Sequence, residues 1–170
     1  IGSLLILKKA FGVNIDAEQE LHRKLGVIRG NRPVSVHLNL ENKQLIGQPL
    51  RKLFDLLKEP VVVSRMFHEG EIITPTPDLI LKENDVLLVV ASKQEVEQLK
   101  LLIGPISNMN LKNAKESDLI SRIIVVTRSA VTHKRIGDIP ELHQQEFTLT
   151  RLDRAGIEMV PHGDIFLQLG

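Results

Sequence analysis

Two arginines occupy matching places in this chain. Arg65 stands five residues before Gly70 in "RMFHEGEIITPTPDLILKEN", and Arg151 stands five residues before Gly156 in "RLDRAGIEMVPHGDIFLQLG". A guanidinium is a planar fork of donors that never loses its charge, so a residue in such a place has two uses. It can bridge its strand to a neighbouring carbonyl or carboxylate, with Asp78 and Asp164 as the available acids. It can equally read a carboxylate or phosphate on a small effector. His68 and Arg154 lie beside the two hairpin tips and are further ligand-binding candidates. On the residues alone both uses stay open.

Most other chemistry lacks its residues. There is no cysteine, which removes disulfides, thiolate nucleophiles and cysteine-based zinc sites. The six histidines, His22, His37, His68, His133, His143 and His162, show no metal-ligand spacing, and there is no HExxH. His37 falls on the polar side of an alternating stretch and reads as a solvated surface residue. No glycine-rich nucleotide loop is present, and no pair of acids is singled out for proton transfer. The reading is no catalytic residue, no metal and no cofactor. With 22 basic against 21 acidic side chains and 3% aromatics there is neither a basic face nor a set of stacking platforms, so nucleic acid is not an expected partner.

The elements that must position these residues follow from periodicity. Val34, Val36, Leu38 and Leu40 alternate with polar residues, which predicts a strand with one wet face. Leu50, Leu53, Phe54 and Leu57 make a helical stripe, begun near Pro49 and ended by Pro60. Val61 to Phe67 and Glu71 to Thr74 form a hairpin turning at Gly70, stopped by Pro75 and Pro77. Val86 to Val90 has no polar alternation, so it is a central strand buried on both faces. Ser92 and Glu95 form a capping box before a helix whose face is Val96, Leu99, Leu102 and Ile103. Residues 104–120, rich in Gly, Pro, Asn, Ser and Lys, read as a linker, and Ile123 to Thr127 begins a strand again. Ahead of all this, Asp16 caps a short helix, and "IGSLLILKK" is either an amphipathic helix or the exit turn of a membrane helix with Lys8 and Lys9 inside.

The phrase around the arginines is written twice. Residues 65–84 align without a gap on residues 151–170, with identities at Arg65/Arg151, Gly70/Gly156, Pro75/Pro161, Asp78/Asp164 and Leu81/Leu167. Upstream, "LIGQPLRKL" is matched with "RIGDIPELH" and "VSVHLNLE" with "RIIVVTRS". On that matching Gly47 lies 18 positions before Arg65 but Gly137 only 14 before Arg151, which implies a shortened helix or a lost loop in the second copy. No counterpart of "DVLLVVAS" follows Gly170, so the second copy is expected to continue into a strand of that pattern beyond it.

This phrase, Arg-x4-Gly-x4-Pro-x2-Asp-x2-Leu-x2-Asn-Asp before an apolar strand, resembles the C-terminal domain of RCK proteins, the Trk-type regulator C-terminal (TrkA-C) domain. Two such units behind an apolar stub resemble the cytoplasmic insert of aspartate–alanine exchanger-type transport proteins. The resemblance implies an α+β fold of two tandem small domains, each a mainly antiparallel sheet with helices on one side. The expected organisation is a membrane-proximal stub and linker over 1–33, a first domain over 34–103, a linker over 104–120 and an incomplete second domain over 121–170. It implies a non-enzymatic, ligand-sensing regulatory module on the cytoplasmic face of a bacterial membrane. Its partners would be transmembrane domains of the same polypeptide, an unidentified small-molecule effector (a cyclic dinucleotide in some relatives) and a second copy in a homodimer. A free-standing dimerising adaptor is the alternative.

Overall fold

The computed structural model describes residues 32–112, 120–143 and 147–170. The apolar stub and the helix capped by Asp16 lie outside the described residues. Residues 33–112 build an antiparallel sheet from β1 (Pro33–Asn39), β2 (Val62–His68), β3 (Glu71–Ile73) and β4 (Val86–Ser92), with short helices α1 (Arg51–Asp55) and α2 (Glu95–Leu102). Further on come 3-10 turns at Ser129–Val131 and Ile136–Asp138, helix α3 (Pro140–His143) and a hairpin of β5 (Leu152–Arg154) and β6 (Ile157–Met159). The sheets are antiparallel and the helices few, as the sequence predicts.

Strand order is β1-β4-β2-β3. All seven residues of β4 are buried, which is why its sequence carries no polar alternation. One face of the sheet packs Leu38, Val63, Met66, Leu87 and Val89 against Leu53 and Leu99 of the helices. The Ser92 hydroxyl accepts the Glu95 amide at 3.4 Å, half of the expected capping box.

Strand β2 carries an irregularity that decides where Arg65 points. Its register on β4 runs Val62↔Val90 and Val63↔Val89, then shifts to Arg65↔Leu88 and Met66↔Leu87. With a strict period of two, Val63 and Arg65 would share a face. The extra residue, Ser64, donates its hydroxyl to the Leu88 carbonyl at 3.2 Å and returns Met66 to the core face. Arg65 and Phe67 are thereby turned to the other, outer face.

The outer face is not wet, because the chain returns over it after α2. The Asn39 amide donates to the Pro105 carbonyl at 2.9 Å and the Ser107 amide to the His37 carbonyl at 2.8 Å, along the free edge of β1. Leu111 then reaches zero exposure over Val86, Leu88, Phe67 and Ile72. Residues 105–112, which composition reads as the start of a linker, are thus a packed strap. Gly104 makes the corner at φ +146, where an added Cβ would stand 2.3 Å from the Asn39 carbonyl oxygen.

A set of backbone features recurs at a constant spacing of 86 residues. The Gly47 amide donates to Leu81 O at 2.8 Å, and His133 to Leu167 O at 2.9 Å; Leu50 donates to Leu79 O at 2.8 Å, and Ile136 to Ile165 O at 2.8 Å. Positive φ falls on Gly47 and His133, Glu69 and Ala155, Gly70 and Gly156, Asn84 and Gly170. This corrects the upstream matching made from "IG": Gly137 stands where Arg51 does, donating to Gly163 O as Arg51 donates to Pro77 O. With that register the second stretch has lost no residues. The expected strand over 123–127 is not formed. Its residues carry no ladder beyond the bond from the Gly170 amide to Val126 O at 3.1 Å, and Ile123 and Ile124 are 97% and 74% exposed.

Candidate functional site

The outer sheet face brings one sequence-predicted residue together with one that was set aside. In register, His37 on β1 pairs with Leu88 on β4, and Leu88 with Arg65 on β2. The three form a row across the sheet, and Leu111 of the strap lies on it. The Leu111 amide donates to His37 Nε2 at 3.2 Å. Arg65 Nη1 donates to the Leu111 carbonyl at 2.8 Å and to the Lys112 carbonyl at 3.2 Å. The strap is stiffened locally, since Ser107 Oγ accepts the Met109 amide at 3.2 Å and Asn110 Oδ1 the Lys112 amide at 3.0 Å. Burial, with Lys112 nearby, holds the His37 imidazole below its usual pKa. The hydrogen bond needs the same neutral form, because only an unprotonated Nε2 can accept an amide N–H.

His37 is therefore half-buried and bonded rather than a solvated surface residue. Arg65 does bridge its strand to carbonyls, but those of the strap. Asp78 is held by Arg51. In the second stretch Asp164 lies 3.5 Å from Arg135 rather than pairing with Arg151. Arg151 donates to Glu158 at 3.2 Å and to Ser35 Oγ on β1 at 3.4 Å. Glu158 also accepts from Arg32 Nε at 3.0 Å, and that bond is the main cause that holds its carboxyl below the usual range. Arg151, Glu158, Arg32 and Ser35 thus tie the β5–β6 hairpin to the start of β1.

The remaining two candidates are engaged elsewhere. His68, 8% exposed, puts Nδ1 at 2.8 Å from Asp85 Oδ1, and Asp85, 2% exposed, accepts the Lys82 amide on its other oxygen at 2.8 Å. This buried pair closes the turn into β4. The sequence signal for Asp85 is its place directly before the apolar strand, at the end of the repeated phrase. Arg154 donates to the Phe166 carbonyl, while Arg135 lies over the Phe166 ring at 5.5 Å. A cleft of about 340 Å³ is lined by residues of both stretches, among them Phe54, Leu57, Lys58, Val61, His162 and Asp164. None of the four predicted site residues lines it, and the four do not converge. Among the described residues no three potential metal ligands group together, and no helix is long and apolar enough to cross a membrane.

Comparison with known proteins supplies what the geometry leaves open. Residues 38–104 match the family profile of the TrkA-C domain. Over these residues the first lobe is similar to TrkA-C domains. Strands β2, β3 and β4, both helices and the buried His68–Asp85 turn fall inside the matched residues, while most of β1 and the strap lie outside them. The chain is 34% identical over 135 residues to an "uncharacterized transporter" of Porphyromonas gingivalis, covering 76% of this chain and 24% of that protein. It is 32% identical over 171 residues to a "putative transport protein" of Photobacterium profundum, covering 99% of this chain and 30% of that protein. The chain therefore spans less than a third of either relative. Among solved structures, an RCK domain described "with cda" superposes with TM-score 0.35 at 22% identity, covering 41% of this chain and 96% of that one. S. agalactiae BusR in complex with its busA-promotor DNA superposes with TM-score 0.34 at 19% identity, covering 58% of this chain and 57% of that one. At that distance neither contributes to the functional reading.

Proposed function

We propose that this chain is a regulatory module of a bacterial membrane transport protein, made of two TrkA-C-type units in tandem. The observation that carries the reading is the match over 99% of the chain to a transport protein more than three times its aligned length, joined to the TrkA-C match over residues 38–104. The second unit, residues 121–170, rests on the hydrogen bonds and positive-φ positions that return at a spacing of 86 residues. In this reading the module lies at the cytoplasmic face, works on transmembrane domains of the same polypeptide, pairs with a second copy and responds to a small-molecule effector. Its work is a shift of conformational population rather than bond chemistry, so an effector need only bind one arrangement of the module better than another.

A flux measurement on membrane vesicles holding the full-length polypeptide tests this, with labelled aspartate, alanine and rubidium as probes. Leu53 has no exposure in the core of the first lobe. Leu53→Asp places an unpaired charge there and collapses that lobe. For the probe that the wild type carries, the variant should show an altered flux at unchanged protein level in the membrane. A flux equal to that of the wild type would contradict a regulatory role.

A further inference from the structure

We propose that His37 and Arg65 form a proton-operated clasp on the strap over residues 105–112, closed when the His37 imidazole is neutral and released when it is protonated. The two side chains hold the two ends of one peptide unit from opposite sides: His37 Nε2 takes the Leu111 amide and Arg65 takes the Leu111 carbonyl. Leu111, with zero exposure, is the apolar pin between them. Protonation of His37 turns Nε2 into a donor aimed at another donor, so the hydrogen bond is lost and not merely weakened.

The surroundings oppose that proton. From the strap, Lys112 faces His37; from β2, the Arg65 guanidinium lies across Leu88 on the same face; at Ser35, two residues along β1, the Arg151 guanidinium arrives from the second stretch. Strand β4 contributes only Leu88 to the row, and Ser35 and Asn39 on β1 are uncharged. Lys112 and Arg65 are both positive, and the one carboxylate near Ser35, Glu158, is already engaged by Arg151 and Arg32. The direction of the effect follows: the closed clasp binds the proton less well than the open one, so closure is complete above the ordinary histidine pKa and weakens as pH falls through it. Opening frees the strap and uncovers the apolar floor of Val86, Leu88 and Phe67. The clasp does not depend on the transport reading and can be tested without it.

The test is amide hydrogen exchange of the full chain at about pH 5.5 and about pH 7.5, one unit either side of the ordinary histidine pKa, corrected for intrinsic exchange. Protection of the Leu111 amide should fall by up to about tenfold per pH unit below about 6.5, while the β4 amides keep theirs. His37→Gln offers an acceptor that does not titrate and should keep Leu111 protected at both pH values. Equal protection of Leu111 in the wild type at the two pH values would overturn the clasp. So would the same acid loss in His37→Gln, which would move the effect to another group such as His68. A third readout needs no variant: at neutral pH the His37 ring should carry its proton on Nδ1, and a proton found on Nε2 contradicts the clasp.

Discussion

Gly104→Ala should be the most damaging single-methyl change in the first lobe. The glycine sits at φ +146, and the added Cβ would stand 2.3 Å from the Asn39 carbonyl oxygen, where real Cβ atoms essentially never come within 3.0 Å. The neighbour is backbone, so no side chain can swing away. Relief requires moving the corner by at least the missing 0.7 Å, which is 3.0 less 2.3. The bonds from Asn39 to Pro105 O at 2.9 Å and from Glu41 to Ile103 O at 3.0 Å join the same two segments. Losing both costs about 2 kcal/mol at about 1 kcal/mol each, and the forbidden φ adds about 1–3 kcal/mol. The expected loss is thus about 3–5 kcal/mol. Gly47→Ala is the control, because Gly47 has φ +80 but nothing within 4 Å of a Cβ. Its cost is the conformational part alone, about 1–2 kcal/mol. The chain has no tryptophan or tyrosine, so urea unfolding is followed by far-ultraviolet circular dichroism. Equal losses for the two variants would refute the close-approach argument.

Gly156→Val should cost about 1–2 kcal/mol, since a β-branched residue resists the φ of +77 found there, and an unchanged thermal midpoint would argue against that turn. Glu158→Gln should loosen the tie between the β5–β6 hairpin and β1. The Glu158 carboxyl is held below its usual pKa, chiefly by Arg32, so its contribution is present above the ordinary carboxylate pKa and is lost as pH falls through the depressed value. The stability gap between wild type and Glu158→Gln should accordingly close in acid and in high salt, and a gap indifferent to both would contradict the contact. The chain should self-associate at high micromolar concentration through the exposed run containing Ile120, Ile123, Ile124 and Val125. Sedimentation should show Ile123→Lys with Val125→Lys to be less associated, and a clean wild-type monomer would count against it.

What the sequence showed and what it hid divide along physical lines. Strand β4 was legible because the run from Val86 to Val90 must be apolar throughout when both faces are covered. The turn at Gly70 was legible because its backbone demands a residue type. The position of Glu69, also at positive φ (50°), was not, since its side chain gives no such sign. The bulge at Ser64 was invisible: strict alternation is the only signal a strand offers, and the bulge breaks it by one residue inside an otherwise good pattern. The strap was misread for a similar reason. Its Gly, Pro, Asn and Ser composition belongs to a segment that binds mainly through backbone groups, with Leu111 as its single deep anchor. The upstream register of the repeat was hidden because the "IG" dipeptides at Ile46 and Ile136 look alike, whereas the backbone equates Gly47 with His133, whose side chain marks a positive φ far less plainly than glycine does. Of the candidate site residues, the strap contact of Arg65 and the β1 contact of Arg151 could not be seen from the chain, because their partners lie 46 and 116 residues away.

The central claim is that this chain works as part of a membrane transport protein, and fractionation of native cells tests it most directly. An antibody raised against residues 32–112 should detect a polypeptide much larger than this chain, in the membrane pellet and resistant to an alkaline carbonate wash. A product no larger than the chain, released into the supernatant, would contradict the claim.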